Sequence, residues 1–407
     1  MHPYLARREG LEPIRYLDDR LKPVLERTLG VPLFQEQMLK IAMVMANFSG
    51  AEAEELRRAM SFHRSQERMQ RVEKNLRAAL AANQVDPKVA EEIVTAISSF
   101  ALYGFPESHA ISFALIAYAS SWLKVHRPAE FYVGLLNNQP MGFYSSATLI
   151  KDAQRRHLRV LPVSVVHSDW LCTVESDHTI RLGFRLTQGI QQTAVTKMIE
   201  ERSRRPFTDL VDFRARTHFA RDELRTLAKA GALNPLATHR RQALWSVEAE
   251  FYQDELFNPD PETSAPLLPM APIERLTSDF ETMRLTVGPH PVGYLRSMLP
   301  NDIWRSIDLP QAPNGSRIRI GGQVICRQRP GTAKGFVFIS LEDETGISNA
   351  IVTPPLFEKY RLVITQESFL MIEGILQIHS GVIHVRAKII ERLPAFALEH
   401  ADSHDFR

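Results

Sequence analysis

Two adjacent arginines, Arg57 and Arg58, stand between Leu56, Ala59 and Met60 in a stretch with helical spacing. Successive helix residues point about 100° apart, so while Leu56 and Met60 pack inward at least one guanidinium projects outward. Its planar fork can meet phosphate oxygens bidentately, which a lysine cannot match. A solvated helix face carries such charges too, and the pentapeptide alone leaves both readings open. A second candidate is the run Tyr103-Gly104-Phe105-Pro106-Glu107-Ser108-His109-Ala110. Gly104 permits a turn, Pro106 stiffens it, and Ser108 can cap the helix that follows. His109 then falls in the first helical turn, where exposed N–H groups and the helix dipole favour an anion such as a triphosphate. The plainer reading is a turn bearing a partly exposed histidine.

Chemistry that depends on bound metal finds little support. The sequence contains no Asp-x-Asp. Asp18-Asp19 lies in a loop-like stretch and Glu342-Asp343-Glu344 in a predicted strand turn, so both read as solvated loops. Cys172 and Cys326 are far apart and form no Cys-x-x-Cys, which argues against a zinc site or a disulfide framework and fits a reducing cytoplasm. No bound metal or cofactor is expected. At 407 residues, 44% hydrophobic and 24% charged, the chain has the composition of a multidomain globular protein without a membrane span. Its net charge of +2 means that any basic surface must be local.

The elements that must position these residues differ in texture along the chain. From about 30 to 160 the pattern is helical. Met38, Ile41, Ala42, Met45 and Phe48 form an apolar stripe, Ser49 to Glu52 has a capping-box arrangement, and Asp86-Pro87 opens a helix buried along Val89, Ile93, Ile97 and Phe100. A long helix is expected from after Ser108 to Arg127-Pro128, and another from Ala129 to Asn137. Residues 180 to 250 read as short helices joined by tight turns, and 254 to 274 as an exposed linker rich in proline and acid. From about 316, five short strands rich in Ile, Val and Phe surround a helical insert near Pro355 to Arg361, the pattern of an OB-type barrel. The predicted fold class is multidomain and mainly α, ending in a small all-β barrel.

Four segments occur in a fixed order: Gly30 to Gln37, Leu56 to Met60, Tyr103 to His109, and Trp122-Leu123-Lys124-Val125-His126-Arg127-Pro128-Ala129-Glu130-Phe131. This succession resembles the fingers of the bacterial DNA polymerase III alpha subunits. Replicative members usually carry Asn-Lys where this chain has Pro106-Glu107. The Phe-Pro-Glu-Ser-His-Ala version, like the terminal Asp405-Phe406-Arg407, resembles the error-prone paralogue of damage-induced translesion synthesis.

The resemblance implies fingers over 1–165, a tandem helix-hairpin-helix domain with its linker over 166–300, an OB-fold over 315–395 and a tail over 396–407. It makes Arg57, Arg58, His109 and Ser108 ligands of an incoming deoxynucleoside triphosphate. Gly189, Gln191 and Gln192 take the first hairpin position against duplex DNA, with Arg221, Arg225, Lys229, Arg240 and Arg241 nearby. In the barrel, Arg317, Arg319, Arg327, Arg329 and Lys334 supply charge and Phe336 a stacking ring for a base. Gln253-Asp254-Glu255-Leu256-Phe257 resembles a sliding-clamp peptide anchored by Gln253, Leu256 and Phe257. In this family Mg2+ is held by three palm aspartates, two of them as Asp-x-Asp, and polymerisation depends on them. The chain is therefore expected to start at the fingers and to hold primer-template DNA and nucleotide without joining them. Translesion accessory proteins are further expected partners. The other expectation is a non-catalytic DNA-binding scaffold.

Overall fold

A computed structural model describes residues 2–60, 66–100, 106–142, 144–248, 267–379, 381–393 and 404–405. The chain divides into two compact units, Met1–Ser121 and Trp122–Arg407.

The first unit carries α1 (Pro3–Arg8), α2 (Lys22–Leu25), α3 (Gln35–Ala46), α4 (Gly50–Met60), α5 (Gln66–Ala82), α6 (Pro87–Phe100) and the start of α7 (Glu107–His126). Its core joins Met38, Ile41, Ala42, Met45 and Phe48 of the anticipated stripe to Leu56, Leu76, Leu80, Ile93 and Ile97. Local chemistry sets the helix starts. The Ser49 N–H donates to Glu52 Oε2 at 2.8 Å while the Glu52 N–H donates to Ser49 Oγ at 3.4 Å, and Asp86 Oδ1 accepts the Lys88 N–H at 2.8 Å. Gln37, almost fully buried, accepts the N–H groups of Leu33 and Phe34 and donates to Thr28 Oγ1 at 2.9 Å, fixing the turn into α3. Gly30 has φ +78°, and a Cβ there would sit 2.2 Å from the Arg15 carbonyl oxygen. No other residue fits that crossing.

The second unit begins with the end of α7 and continues with α8 (Pro128–Asn137) and α9 (Ser146–Arg155). A small sheet follows, which the sequence reading did not anticipate: β1 (Arg159–Leu161), β2 (Thr173–Ser176) and β3 (Thr179–Arg181), in the order β1-β3-β2. Next come α10 (Gln192–Arg204), α11 (Leu210–Arg216), α12 (Arg221–Ala230), α13 (Arg240–Glu248), α14 (Pro272–Met283) and α15 (Pro291–Leu295). Helices α8 to α13, the small sheet and the end of α14 share one apolar core, including Tyr132, Ile150, Ile180, Phe184, Met198, Phe213, Leu227 and Val247.

After β4 (Ile303–Trp304), the barrel is built from β5 (Arg317–Gln328), β6 (Val337–Glu342), β7 (Ile347–Val352), β8 (Phe369–His379) and β9 (Val382–Arg392), with α16 (Pro354–Gln366) between β7 and β8. The strands run in the order β5-β6-β7-β9-β8, and pairing of β8 back onto β5 closes the barrel, as anticipated. Only β7 and β9 pair in parallel within this ring. A two-residue β10 (His404–Asp405) pairs with β5 at Cys326 and Arg327.

Candidate functional site

On α4, both arginines of the first candidate project outward, and both bond the same carboxylate. Arg57 holds Glu54 through two bonds of 2.7 Å, and Arg58 Nε reaches Glu54 Oε1 at 3.1 Å. The Arg57 bond, and then the Arg58 bond, hold the Glu54 carboxyl at about 2. A phosphate arriving here meets a guanidinium pair already turned toward an acid one helical turn away.

The start of α7 differs from the expected cap. The helix begins at Glu107, so Ser108 lies inside its first turn rather than at the cap position. The capping acceptor comes from α3: both Glu36 carboxylate oxygens accept the Glu107 N–H, at 2.9 and 3.1 Å, and Arg27 pairs with the Glu107 side chain. A carboxylate thus already answers the dipole at this end. His109 does lie in the first turn, its ring 4.3 Å from that of Phe113. Pro106, Ser108, His109 and Ser112 line an open concavity of about 650 Å³. Ser108 and His109 thus share one cavity, and Arg57 and Arg58 are not among the described residues lining it. Tyr103, Gly104 and Phe105 lie outside the described residues. No side chain of α7 is buried; Ile111, Phe113, Leu115, Ile116 and Tyr118 are all more than half exposed.

In the second unit, Gly189 has φ +72° and open space where a Cβ would stand. Gln188, Gly189, Gln191 and Gln192 are exposed while Ile190 is buried, which presents the turn into α10 to solvent. The Gln191 N–H is already used: it donates to Glu223 Oε1 at 2.9 Å, and Glu223 Oε2 takes the Ala220 N–H at 2.8 Å. One buried carboxylate therefore ties the first hairpin to the start of α12.

Two of the expected DNA-contacting arginines are engaged in the fold. Arg240 passes over Gly231, where a Cβ would lie 2.6 Å from its Nε, and bonds Asp279 at 2.7 Å. Asp279 is almost fully buried and also accepts from Thr286 Oγ1 at 2.5 Å; burial pushes its carboxyl above the usual range. Arg327 is likewise buried, with Nε on the Ile364 carbonyl and Nη2 on that of Glu367, both at 2.5 Å. These carbonyls close the end of α16, where a cation is favoured. The other basic candidates also have partners. Arg241 pairs with Glu274, Arg221 and Arg225 with Glu248, and Lys229 with Glu281; Arg317 and Arg319 share Glu373. Arg329 lies 4.6 Å over the Phe357 ring. Lys334 is exposed in the turn before β6.

The more exposed ring lies two residues beyond the expected one. Phe336 is half-buried in the turn that precedes β6, whereas Phe338 is mounted on the strand and exposed. Phe338 pairs with Ile351 of β7, which pairs with Arg386 of β9, so an aromatic ring and an exposed arginine share one outward row across the barrel. Gln253, Leu256 and Phe257 of the clamp-like peptide lie outside the described residues.

The acidic run expected to be a solvated turn is instead interior. Glu342 and Asp343 are each 2% exposed. Glu342 Oε1 accepts from Arg155 Nη2 of α9 at 2.6 Å, and its Oε2 lies 3.9 Å from His290 Nε2. Burial is the main cause raising the Glu342 carboxyl to about 7, against the pull of Arg155. Burial also lowers Lys151 to about 8 and His290 to about 3. Sequence reasoning missed this cluster because its members come from α9, the turn before α15 and the barrel. Among the described residues no three His, Cys, Asp or Glu side chains converge as a metal would require. No helix among the described residues is long and apolar enough to cross a membrane.

Known proteins resemble this chain along its whole length. Residues 1–84 match the bacterial DNA polymerase III alpha subunit finger domain, 157–243 the helix-hairpin-helix motif and 316–393 the OB-fold nucleic acid binding domain. The error-prone DNA polymerase of Dechloromonas aromatica is 43% identical over 400 residues, covering 97% of this chain and 39% of that protein. That of Alkalilimnicola ehrlichii is 42% identical over 96% of this chain and 39% of its own length, and that of Pseudomonas savastanoi pv. phaseolicola 41% identical over 100% and 40%. The chain thus spans about 40% of the length of the curated relatives it matches. It belongs to the bacterial DNA polymerase III alpha-subunit family, on the branch of the error-prone DNA polymerases.

Proposed function

We propose that this chain is the DNA- and nucleotide-holding part of an error-prone, DNA-directed DNA polymerase acting in DNA repair and translesion synthesis, with the catalytic palm carboxylates outside it. The observation that carries the reading is the order of finger, hairpin and barrel matches within a chain about 40% identical to such polymerases throughout. Duplex DNA is held at the exposed turn around Gly189, through phosphates rather than bases. The outward row of Phe338, Ile351 and Arg386 takes the unpaired template strand, by stacking and charge. Arg57, Arg58, Ser108 and His109 receive the incoming triphosphate once the rest of the polymerase is in place. The uncovered apolar side chains of α7 support a further packing partner for this region.

One observation favours a second reading, a non-catalytic scaffold recruited to DNA or to the sliding clamp. Glu54 and Glu36 already occupy the arginine pair and the α7 start. Primer extension with the purified chain, Mg2+ and all four deoxynucleoside triphosphates tests the first reading. Binding of primer-template without extension is the expected result. Extension, with contamination excluded, would overturn the placement of the carboxylates elsewhere. Triphosphate binding separates the readings, since a scaffold has no use for it.

A further inference from the structure

The hairpin-bearing helices and the barrel belong to one compact unit but have separate apolar cores. A small third cluster lies where they meet: Leu276 and Phe280 of α14, Val292 and Leu295 of α15, then Leu299, Ile303, Phe369 and Leu393. Apolar contact of this kind is non-directional and sets no angle between two bodies. Direction comes from polar contacts beside it. Arg155 of α9 crosses to Glu342 at the end of β6, a pair whose side chains are 21% and 3% exposed. Lys151, one turn earlier, donates to the Gly288 carbonyl, and Gln154 Nε2 to the Val287 carbonyl at 2.7 Å. Arg296, just after α15, grips Glu344 in the barrel turn through bonds of 2.7 and 3.0 Å. Three separate pieces of chain are thereby pinned together: α9, the segment 287–296, and the turn after β6.

The orientation of this joint is what its chemistry adds. A buried ion pair contributes little net stability, because desolvation cancels most of the Coulombic gain, but it admits few geometries. His290 strengthens the point. Its Nδ1 accepts the Val292 N–H at 3.2 Å and caps α15, while its Nε2 is buried without a hydrogen-bond partner among the described residues. The side chains here are arranged for direction at the expense of full polar satisfaction.

We propose that Arg155 and Glu342 are positioning residues whose buried pair fixes the barrel at one angle to the hairpins, so that duplex and unpaired template are gripped by a single rigid body. The proposal rests on the DNA-binding reading above. A rigid body that holds both parts of a primer-template junction gains affinity over either part alone, because the second contact is made at a high effective concentration. Loosening the joint lowers that gain and leaves the two separate affinities in place.

The test uses the full chain and three ligands: blunt duplex, a single-stranded oligonucleotide, and the same duplex carrying that strand as an overhang. Arg155→Met alone strands a buried carboxylate and risks unfolding, so the decisive variant pairs it with Glu342→Leu, an apolar replacement of the kind that folds preserve. Dyes at the exposed positions Lys197 and Val382, on α10 and β9, report the angle without DNA. The expected result is a junction affinity about tenfold lower in the double variant, with the duplex and single-strand affinities unchanged. The dye distance should widen from one narrow distribution to a broad one. An unaltered junction advantage together with an unaltered dye distribution overturns the inference while the DNA-binding reading stands. Wild-type chain that binds neither duplex nor single strand refutes that reading, and this inference with it.

Discussion

Replacing Arg155 with methionine removes the guanidinium donor 2.6 Å from a carboxylate that is 2% exposed. Breaking a buried ion pair from one side costs about 3–5 kcal/mol, because the remaining charge is left without compensation. Glu342 is too enclosed for solvent screening to reduce that figure much. The pH dependence follows from its raised carboxyl, at about 7 in the folded chain against an ordinary 4.5. A carboxyl raised in the folded state binds more protons there than when unfolded, so its contribution is fully present below about 4.5 and is lost as pH rises through 7. Without Arg155 the carboxyl rises further. The penalty is therefore largest near pH 8 and shrinks near pH 6, where protonation removes the charge, by roughly 1.4 kcal/mol for each pH unit of linkage. All four tryptophans, Trp122, Trp170, Trp245 and Trp304, belong to the second unit, so urea unfolding followed by their fluorescence reports this unit alone. A penalty equal at pH 6 and pH 8, or below about 1 kcal/mol at both, would refute the picture of a buried, charged joint.

Phe338→Ala is expected to weaken single-strand binding by about 1–3 kcal/mol, and Phe336→Ala by clearly less, in fluorescence anisotropy; the reverse order would put the stacking ring back in the turn. Arg240→Ala leaves Asp279 buried without its ion-pair partner, and urea unfolding should show a loss of about 3–5 kcal/mol. A variant as stable as the parent would contradict the structural role of that arginine. Glu54→Gln frees Arg57 and Arg58 from their shared carboxylate, and calorimetry should find triphosphate binding strengthened about fivefold. Unchanged or weaker binding would remove the arginine pair from the nucleotide site.

Much of the architecture was legible because it follows short-range rules. The stripe from Met38 to Phe48, the Ser49–Glu52 box and Asp86-Pro87 each satisfy local backbone donors or one helix face, and all stand where their spacing put them. The barrel strands declared themselves by alternation and turn residues. Alternation also explains what was missed. It sends Val337, Ile339 and Leu341 inward and Phe338, Ser340 and Glu342 outward, yet along that outward face exposure falls until Glu342 is buried. The helical body covers that end of the strand, and nothing within the strand's own sequence records the cover. The partners of Arg240 and Arg327 are illegible in the sequence for the same reason. A basic residue reads identically whether it faces solvent or a buried acceptor, and Asp279 and the end of α16 lie about 40 residues away in each case. The small sheet of β1, β2 and β3 was too short to produce a period.

The most direct test is the affinity of the purified chain for a primer-template junction across a salt series. Contacts made mainly to phosphate release condensed counterions, so the logarithm of the association constant should fall linearly as the logarithm of salt concentration rises, with a slope of about −0.9 per phosphate neutralised. A steep slope, equal for unrelated DNA sequences, is the expected result. Absence of binding at low salt, or an affinity indifferent to salt, would contradict a chain built to hold DNA by its backbone.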